Sequence, residues 1–504
     1  MAITPGGSLN SVPAPQKQTL ATNYIDFNQD MGWAQQYLPD LMEKEAEVFG
    51  PRTISGFLSQ VGAEEAMQAD QVIWSEQGRL HLSYKGTIHA SNGDALYSGG
   101  SATVAQYTVT HDIDETSGFT AANHGVRVND TVIISNAQGV FKCLVSKVDG
   151  ANIDVEPYDG TALSTDATAK GTVLLVYGSE FGKGDNYATA AGTTNRSDSR
   201  GANEPDFKTF SNKPIIMKDY YEVSGSDTAR VGWVEVAAEN GQSGYMWYLK
   251  AEADTRARFT DYLEMAMLES ELNAAGSEVD GAEIILGSSA GGANRVGTQG
   301  LFSAIETRGN VTTGVTGVNA ATDLAEFDAI LAEFDKQGAI EEYMMFVNRT
   351  TSLAMDDMLA SMNSYGAGGT SFGVFNNSED MALNLGFSGF RRGSYDFYKS
   401  DFRYLNDKAT RGGINDAAAA GTAIRGVMIP AGTSTVYDQQ LGKNLRRPFL
   451  HVRYRASQTD NRRMKTWVTG SVGAATSALD AMQIHMLSER CLVTQGANNF
   501  MLMK

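Results

Sequence analysis

GYMWYLKAEADTRARFTDYLEMAMLESELNA, residues 244–274, carries the strongest helical periodicity in the chain. Leu249, Phe259, Leu263 and Met267 recur at multiples near the 3.6-residue turn, which gives one apolar side. Arg256, Arg258, Asp261, Glu264, Glu269 and Glu271 fall on the other faces, where water or pairing one turn away satisfies them. At 1.5 Å of rise per residue such a rod is about 45 Å long. The rest of the sequence is read outward from this helix.

On its N-terminal side lies NKPIIMKDYYEVSGS (212–226), an extended run, and before that residues 182–213 are Gly, Asn, Ser, Thr and charge, a long exposed loop. Residues 100–180 are β throughout: YTVTHDI, VRVNDTVIIS, VFKCLVSKV, NIDVEPY and TVLLVYG are each bounded by Gly, Asn or Asp, at the spacing of a small barrel. The stretch TISGFLSQVGAEEAMQADQVIWSEQGRLHLSY (53–84) runs from small-residue helix or loop into a strand whose Leu80, Leu82 and Tyr84 alternate. WAQQYLPDLMEKEAEVF (33–49) reads as a helix interrupted at Pro39. Residues 1–20 form an arm with only Ile3, Leu9, Val12 and Leu20 as apolar anchors.

On its C-terminal side the pattern is mixed. TDLAEFDAILAEFDKQG (322–338) predicts a helix capped by Thr322 and Asp323 and stopped by Gly338; YMMFVNR (343–349) predicts a buried strand, and TTSLAMDDMLASMN (350–363) another helix. Strand-like runs follow at 387–390, 424–429, 449–454, 467–472 and 485–494. The fold class is α+β, without the βαβ repeat of a nucleotide-binding sheet.

With 504 residues, 42% hydrophobic and 20% charged, the chain has the composition of a globular protein large enough for a sizeable core. No apolar run approaches the roughly 18 residues of a membrane span, and the N-terminus lacks the pattern of a secretory signal. Cys143 and Cys491 stand far apart with no CxxC pair, which predicts buried thiols in place of a disulfide framework or zinc site. A net charge of −19 disfavours sequence-specific DNA binding. Gly at 53 against Pro at 10 implies many tight turns.

Each enzymatic signal has a plainer competitor. Gly287-Ser288-Ser289-Ala290-Gly291 matches a nucleophile elbow centred on Ser289, but a glycine-rich loop follows where the motif needs a helix. His451 and His485 lie far downstream with no evident partner. Gly182-Lys183-Gly184 lacks the spacing of a phosphate loop, and GAGGTSFG (366–373) follows a helix instead of a strand. His111, Asp112 and His124 are explained as polar surface on the β-rich stretch before a metal site is invoked. Neighbouring acids such as Asp356 and Asp357, or Glu341 and Glu342, point in different directions. The sequence therefore predicts no catalytic, cofactor-binding or metal-ligating residue and no enzyme.

Two basic clusters break the acidic background: Arg391, Arg392, Lys399, Arg403, Lys408 and Arg411, then Lys443, Arg446, Arg447, Arg453, Arg455, Arg462, Arg463 and Lys465. Aromatic residues lie among them, a pattern shared by nucleic-acid grooves and protein interfaces. In so acidic a chain the expected partners are acidic neighbouring subunits, since unlike patches fix register in an oligomer. Ile3, Leu9, Val12, Leu20, Arg391, Arg392, Arg403, Arg446, Arg447, Arg453 and Arg455 are the candidate interface residues.

FSNKPIIMKDYYEVSGSDTAR (210–230), the long helix, GLFSAIETRGN (300–310) and YMMFVNRTTSLAMDDMLA (343–360) together resemble the Hong Kong 97 fold of tailed-bacteriophage major capsid proteins. The resemblance covers most of residues 20–504 and implies an N-terminal arm with first helices (1–70), an extended β-hairpin loop going out (71–99) and returning (181–230), and a peripheral domain with a spine helix (231–275). It further implies an axial domain (276–447) and return strands (448–504), with residues 100–180 as an inserted small β-barrel-like domain. Elaborations of this kind occur in some crAss-like and other podovirus-type capsids. The implied function is self-assembly, as pentamers and hexamers, into the icosahedral shell of a virion, built in the bacterial cytoplasm. Implied partners are portal, scaffold and decoration proteins, with DNA touched non-specifically and no membrane or cofactor. A minor capsid or vertex protein shares the fold, and a hydrolase using Ser289 is the reading from another class.

Overall fold

The computed structural model describes residues 63–76, 81–90, 104–115, 118–183, 208–226, 235–237, 243–273, 297–337, 340–363, 389–419, 421–431, 433–438, 443–472 and 475–504. The arm (1–20), the interrupted helix (33–49), Leu80, most of the loop between 182 and 213, Ser289 with its glycines, and residues 366–373 lie outside them. The chain divides into two compact units, residues 71–212 and the remainder. The first described strand, β1 (Ala63–Met67), belongs to the remainder and replaces the helix or loop expected around GAEEAMQAD.

Residues 71–212 begin and end on a two-stranded antiparallel ribbon, β2 (Val72–Glu76) with β9 (Lys208–Asn212). Between them β3 (Ser83–His89), β4 (Ala105–Asp112), β5 (Asp130–Asn136), β6 (Gly139–Asp149), β7 (Asn152–Pro157) and β8 (Thr172–Ser179) close into a barrel in the order β3-β4-β7-β6-β5-β8. Strand β3 joins the ring although it precedes the 100–180 stretch, because it supplies the edge on which β8 closes. Alternation fills the interior: Ala105, Tyr107 and Val109 point in from β4, meeting Ile88, Val132, Ile134, Val145, Ile153, Val155 and Leu174. Gly86 sits at a bulge where an added Cβ would lie 2.1 Å from the Thr108 carbonyl and 2.9 Å from the Tyr107 ring, so glycine is what allows Tyr107 to cross the strand. The buried Tyr107 hydroxyl is satisfied by carbonyls of Tyr84 at 3.0 Å and Thr172 at 3.1 Å.

In the larger unit β10 (Ile215–Ser224) is followed by a short hairpin of β11 (Glu235–Ala237) and β12 (Ser243–Tyr245) and then by α1 (Met246–Glu269). The helix is shorter than the 244–274 run because the chain turns back at Leu272, which bridges to Gly297. Gly297 has φ +67 with the Glu271 carbonyl 2.2 Å from where a Cβ would stand, an approach that only glycine permits. Phe259 and Leu263 of α1 pack with Met486, while Met267 and Leu268 enter the main core with Leu301, Phe302 and Ile305 of α2 (Leu301–Arg308).

Beyond β13 (Asn310–Thr312) come α3 (Ala320–Gln337), β14 (Glu342–Val347), α4 (Arg349–Asn363), β15 (Gly389–Arg392) and β16 (Tyr395–Asp401). Asn319 caps α3 by accepting the Thr322 amide at 3.0 Å, one turn before the expected Thr322 and Asp323; the buried Asp323 carboxylate instead accepts the Gly317 amide at 2.8 Å. The two short helices α5 (Arg403–Asn406) and α6 (Arg411–Ala417) lead to β17 (Gly426–Pro430), the hairpin β18 (Thr433–Asp438) and β19 (Lys443–Pro448), β20 (Leu450–Arg455), β21 (Lys465–Gly470), β22 (Ala481–Thr494) and β23 (Met501–Met503).

Two sheets organise this unit. One is six-stranded, in the order β13-β23-β17-β14-β16-β15. Apolar on both faces, it sends Tyr343, Met345, Val347, Met428, Met501 and Met503 against α3 and α4, and Phe346, Val427, Ile429 and Leu502 into the core that α1 and α2 share. The other sheet is built on the 14-residue β22, with β10 along one edge, β20 and β21 sharing the opposite edge, and β1 parallel to β20. The architecture is α+β, with many strands and few helices.

Candidate functional site

Several of the arginines singled out in the sequence meet acidic partners within the chain. Arg453 and Arg455 leave β20 toward β1: Arg453 Nη2 is 2.9 Å from Glu65 Oε2, while Arg455 Nε donates to Glu489 Oε1 at 2.6 Å and its Nη2 to Asp70. The Asp70 carboxylate raises the Arg455 pKa above the ordinary guanidinium value. Arg462 Nε lies 3.1 Å from Glu489 Oε2, and Arg463 pairs with Glu64, which also faces Arg490 at 3.8 Å. Arg490 is 8% exposed; it donates to the Arg463 carbonyl at 2.8 Å and to Ser488 Oγ at 2.9 Å. Burial pulls its pKa down, with Glu64 and Glu264 opposing. Beside this network a hollow of about 310 Å³ is lined by Asp460, Arg462, Lys465, Trp467 and Leu487. Lys465 stands 6.0 Å over the Trp467 ring and binds Asp460 at 2.8 Å, which keeps that carboxyl below its usual range.

In the first basic cluster Arg392 grips Asp328 with two parallel bonds of 2.6 and 2.7 Å, a fork that raises its own pKa. Arg391 lies 3.6 Å from Asp396 and is 62% exposed, Lys399 is buried on Asp356, and Arg411 reaches Glu269 at 2.9 Å. Arg403 opens the exposed side of α5. Arg446 and Arg447 lie on β19, in register with Thr435 and Ser434. Ile3, Leu9, Val12 and Leu20 lie outside the described residues. The structure thus sets Arg453 and Arg455 on β20, each with its own acidic partners, and leaves the other described candidates on other elements.

The sequence reading missed Glu64, Glu65, Asp70, Glu489 and Arg490, which take part in these contacts. Glu64, Glu65 and Asp70 show in the sequence only as the acids of GAEEAMQAD, and Glu489 and Arg490 only as a charged pair inside the strand-like run 485–494; strand register reveals what they face. The histidines are occupied structurally. His451 is buried with its Nδ1 3.2 Å from the Pro448 carbonyl and its Nε2 accepting from Arg453 at 3.4 Å, and His485 is stacked between Tyr220 and Trp467 at centroid distances of 5.9 and 5.2 Å. Among the described residues no group of three or more His, Cys, Asp or Glu could hold a metal ion, and no helix is long and apolar enough to cross a membrane.

Comparison with solved structures returns a chain of Microbacterium phage Oxtober96 at 8% identity and TM-score 0.35, covering 95% of this chain and 99% of that one. A chain titled as the capsid of a native GTA particle gives 10% identity and TM-score 0.33, covering 95% and 98%. One from the mature capsid of bacteriophage PhiM1 gives 10% and 0.31, covering 63% and 78%. At such TM-scores the superpositions do not fix a fold on their own. No family model matches the chain, and no curated protein does.

Proposed function

We propose that this chain is the major capsid protein of a tailed bacteriophage, a Hong Kong 97-type subunit that assembles with itself into an icosahedral shell. The observation that carries the reading is a set of three two-stranded sheets, β2 with β9, β11 with β12 and β18 with β19, none joined by a third strand among the described residues. A two-stranded sheet is marginal in water by itself. A subunit gains by carrying several when each is laid across a neighbour. On the ribbon β2/β9 Ile73 is 64% exposed, an apolar side chain that such a neighbour would cover.

In this reading residues 71–99 and 181–230 carry the two limbs of the extended loop, with β3 (Ser83–His89) joining residues 100–180 in the inserted barrel and β10 (Ile215–Ser224) returning the chain to the main sheet. The arm anchors Ile3, Leu9, Val12 and Leu20, together with Arg391, Arg403, Arg446 and Arg447, reach neighbouring copies. Portal, scaffold and decoration proteins are the further partners, DNA is touched only non-specifically, and no step of catalysis is assigned to Ser289. Electron microscopy of the expressed protein tests the proposal: closed shells of uniform curvature are expected, and soluble monomers at high concentration would refute it. A copy number of a few per particle would instead assign the chain to a minor or vertex position.

A further inference from the structure

Between β4 and β5 of the barrel, residues 118–126 hold one turn of 3₁₀ helix, Ala121–Asn123, with no side-chain cap. Little apolar area seats this segment: Val126 enters the barrel core, while Phe119 and Ala121 pack against it only in part. The Phe119 ring lies 6.1 Å from that of Tyr84, Gly125 sits against Leu82, and the Gly125 amide donates to Tyr84 Oη at 2.8 Å. The remaining hold passes through His124. Its Nε2 lies 2.8 Å from the Gly150 carbonyl, on the turn between β6 and β7, and its Nδ1 lies 3.3 Å from the Val126 amide nitrogen.

A carbonyl only accepts, so Nε2 must carry a hydrogen; a backbone amide only donates, so Nδ1 must offer its lone pair. The neutral imidazole, in one tautomer, satisfies both. A proton on Nδ1 would set one N–H against another and leave the Val126 amide without its acceptor. The ring is half-buried and stands edge-on to Tyr84 at 5.9 Å. The ionisable groups on the elements around it are Tyr84 of β3; Asp112 of β4, which acts on Tyr84; Asp149 beside Gly150, 3.9 Å from Lys147; and, on its own segment, Arg127, 3.9 Å from Asp130. Among the described residues no carboxylate bonds the imidazole, so an imidazolium there has no counter-charge in contact. Burial lowers the His124 pKa, with the Gly150 bond opposing. A depressed folded value means that the unfolded or released ring takes the proton more readily. The fastening is therefore complete above the ordinary imidazole value near about 6.5 and fades as pH falls below it.

We propose that residues 118–126 are a strap on the barrel, fastened by neutral His124 and released when its imidazole gains a proton, which uncovers the side of Leu82 and Tyr84 beneath it. Release leaves the barrel closed, because none of its strand ladders passes through the strap. The device belongs to a single chain and is independent of shell formation.

Amide hydrogen exchange over residues 118–126 tests it on full-length unassembled protein, from about pH 7.5 to about pH 5, across the imidazole range. The Glu115 carboxyl, held down to about 2, stays ionised throughout and does not contribute. After correction for the intrinsic pH dependence of exchange, protection of the strap should fall about tenfold for each unit by which the site lowers the imidazole pKa, while the β5–β6 ladder keeps its protection. His124→Asn does not titrate and places an acceptor two residues before Val126, as an Asx-turn does; its strap should be equally protected at both ends of the range. His124→Gln, which keeps a donor for Gly150, should be equally insensitive to pH and serves if the asparagine variant does not fold. Strap protection in the wild type that does not change with pH would overturn the proposal. So would an acid-dependent loss that persists in either variant, since another group would then be responsible.

Discussion

Lys399 of β16 reaches across to Asp356 of α4 and pairs with it almost out of water, the two side chains being 5% and 11% exposed. Lys399 Nζ also donates to the Ser352 carbonyl at 3.1 Å, tying the helix to the sheet. Removing one member of a buried pair strands the other, which costs about 3–5 kcal/mol, whereas an apolar pair of similar volume is often neutral or better. Lys399→Met should therefore lower the denaturant midpoint strongly, and Lys399→Met with Asp356→Leu should recover most of the loss. A shift of under about 1 kcal/mol for the single change, the range of exposed pairs, would show that water reaches the pair.

Tyr343 supplies a contrasting case on the same sheet. Its ring stacks on Phe334 at 4.2 Å and near Phe397 at 5.9 Å, yet its buried hydroxyl meets no hydrogen-bonding group among the described residues. Burial pushes its pKa up. An unsatisfied buried hydroxyl costs on the order of 1–3 kcal/mol, so Tyr343→Phe should be neutral or stabilising in thermal unfolding, while Tyr343→Ala should cost about 3–5 kcal/mol through the cavity it leaves. A loss above about 1 kcal/mol with phenylalanine, the worth of one ordinary hydrogen bond, would mean that the hydroxyl has a partner.

The barrel carries a pH-sensitive clamp. Glu115 accepts from Lys170 and from Lys85, the latter at 2.9 Å, and these two cations, Lys170 first, hold its carboxyl down to about 2. A depressed folded pKa means that the folded state binds its proton less readily than the unfolded one. The contribution is complete above the ordinary carboxylate range near about 4.3 and fades as pH falls through that range toward the folded value. Carbon NMR of the Glu115 carboxyl should give a midpoint near 2, moving up toward the usual value in Lys170→Met. A midpoint already ordinary in the wild type would show that the ammonium groups stay solvated.

What could be read in the sequence was whatever local pattern decides. YMMFV was legible as a buried strand because a sheet covered on both faces leaves a continuous apolar run, and the alternations of 100–180 announced a barrel because each strand turns every second residue inward, although the crossed order β3-β4-β7-β6-β5-β8 that closes it was not legible. β1 was not legible, since its preference is helical and a distant strand overrides it. For the same reason the arginines looked available to other subunits: Arg453 meets Glu65 only because residues 63–67 run in register with 451–455. Nothing in the chain order announces that pairing.

Residues 1–20 offer Ile3, Leu9, Val12 and Leu20 as their only sizeable apolar anchors in a stretch rich in Pro, Gly, Ser and Gln, too little to build a local core. If the chain forms a shell, such an arm contributes through contacts with other copies, and one weak contact repeated at every subunit multiplies into particle stability that a single chain never expresses. Deleting residues 1–20 should leave the circular dichroism and the melting of the unassembled chain unchanged while particles become fewer or more fragile by sedimentation. Replacing the four anchors with serine in the full-length chain should reproduce most of that loss, because the apolar contacts and not the length of the arm supply the attraction. Truncated protein that assembles in normal yield, into shells that melt as the wild type does, would show that the arm has no part in assembly.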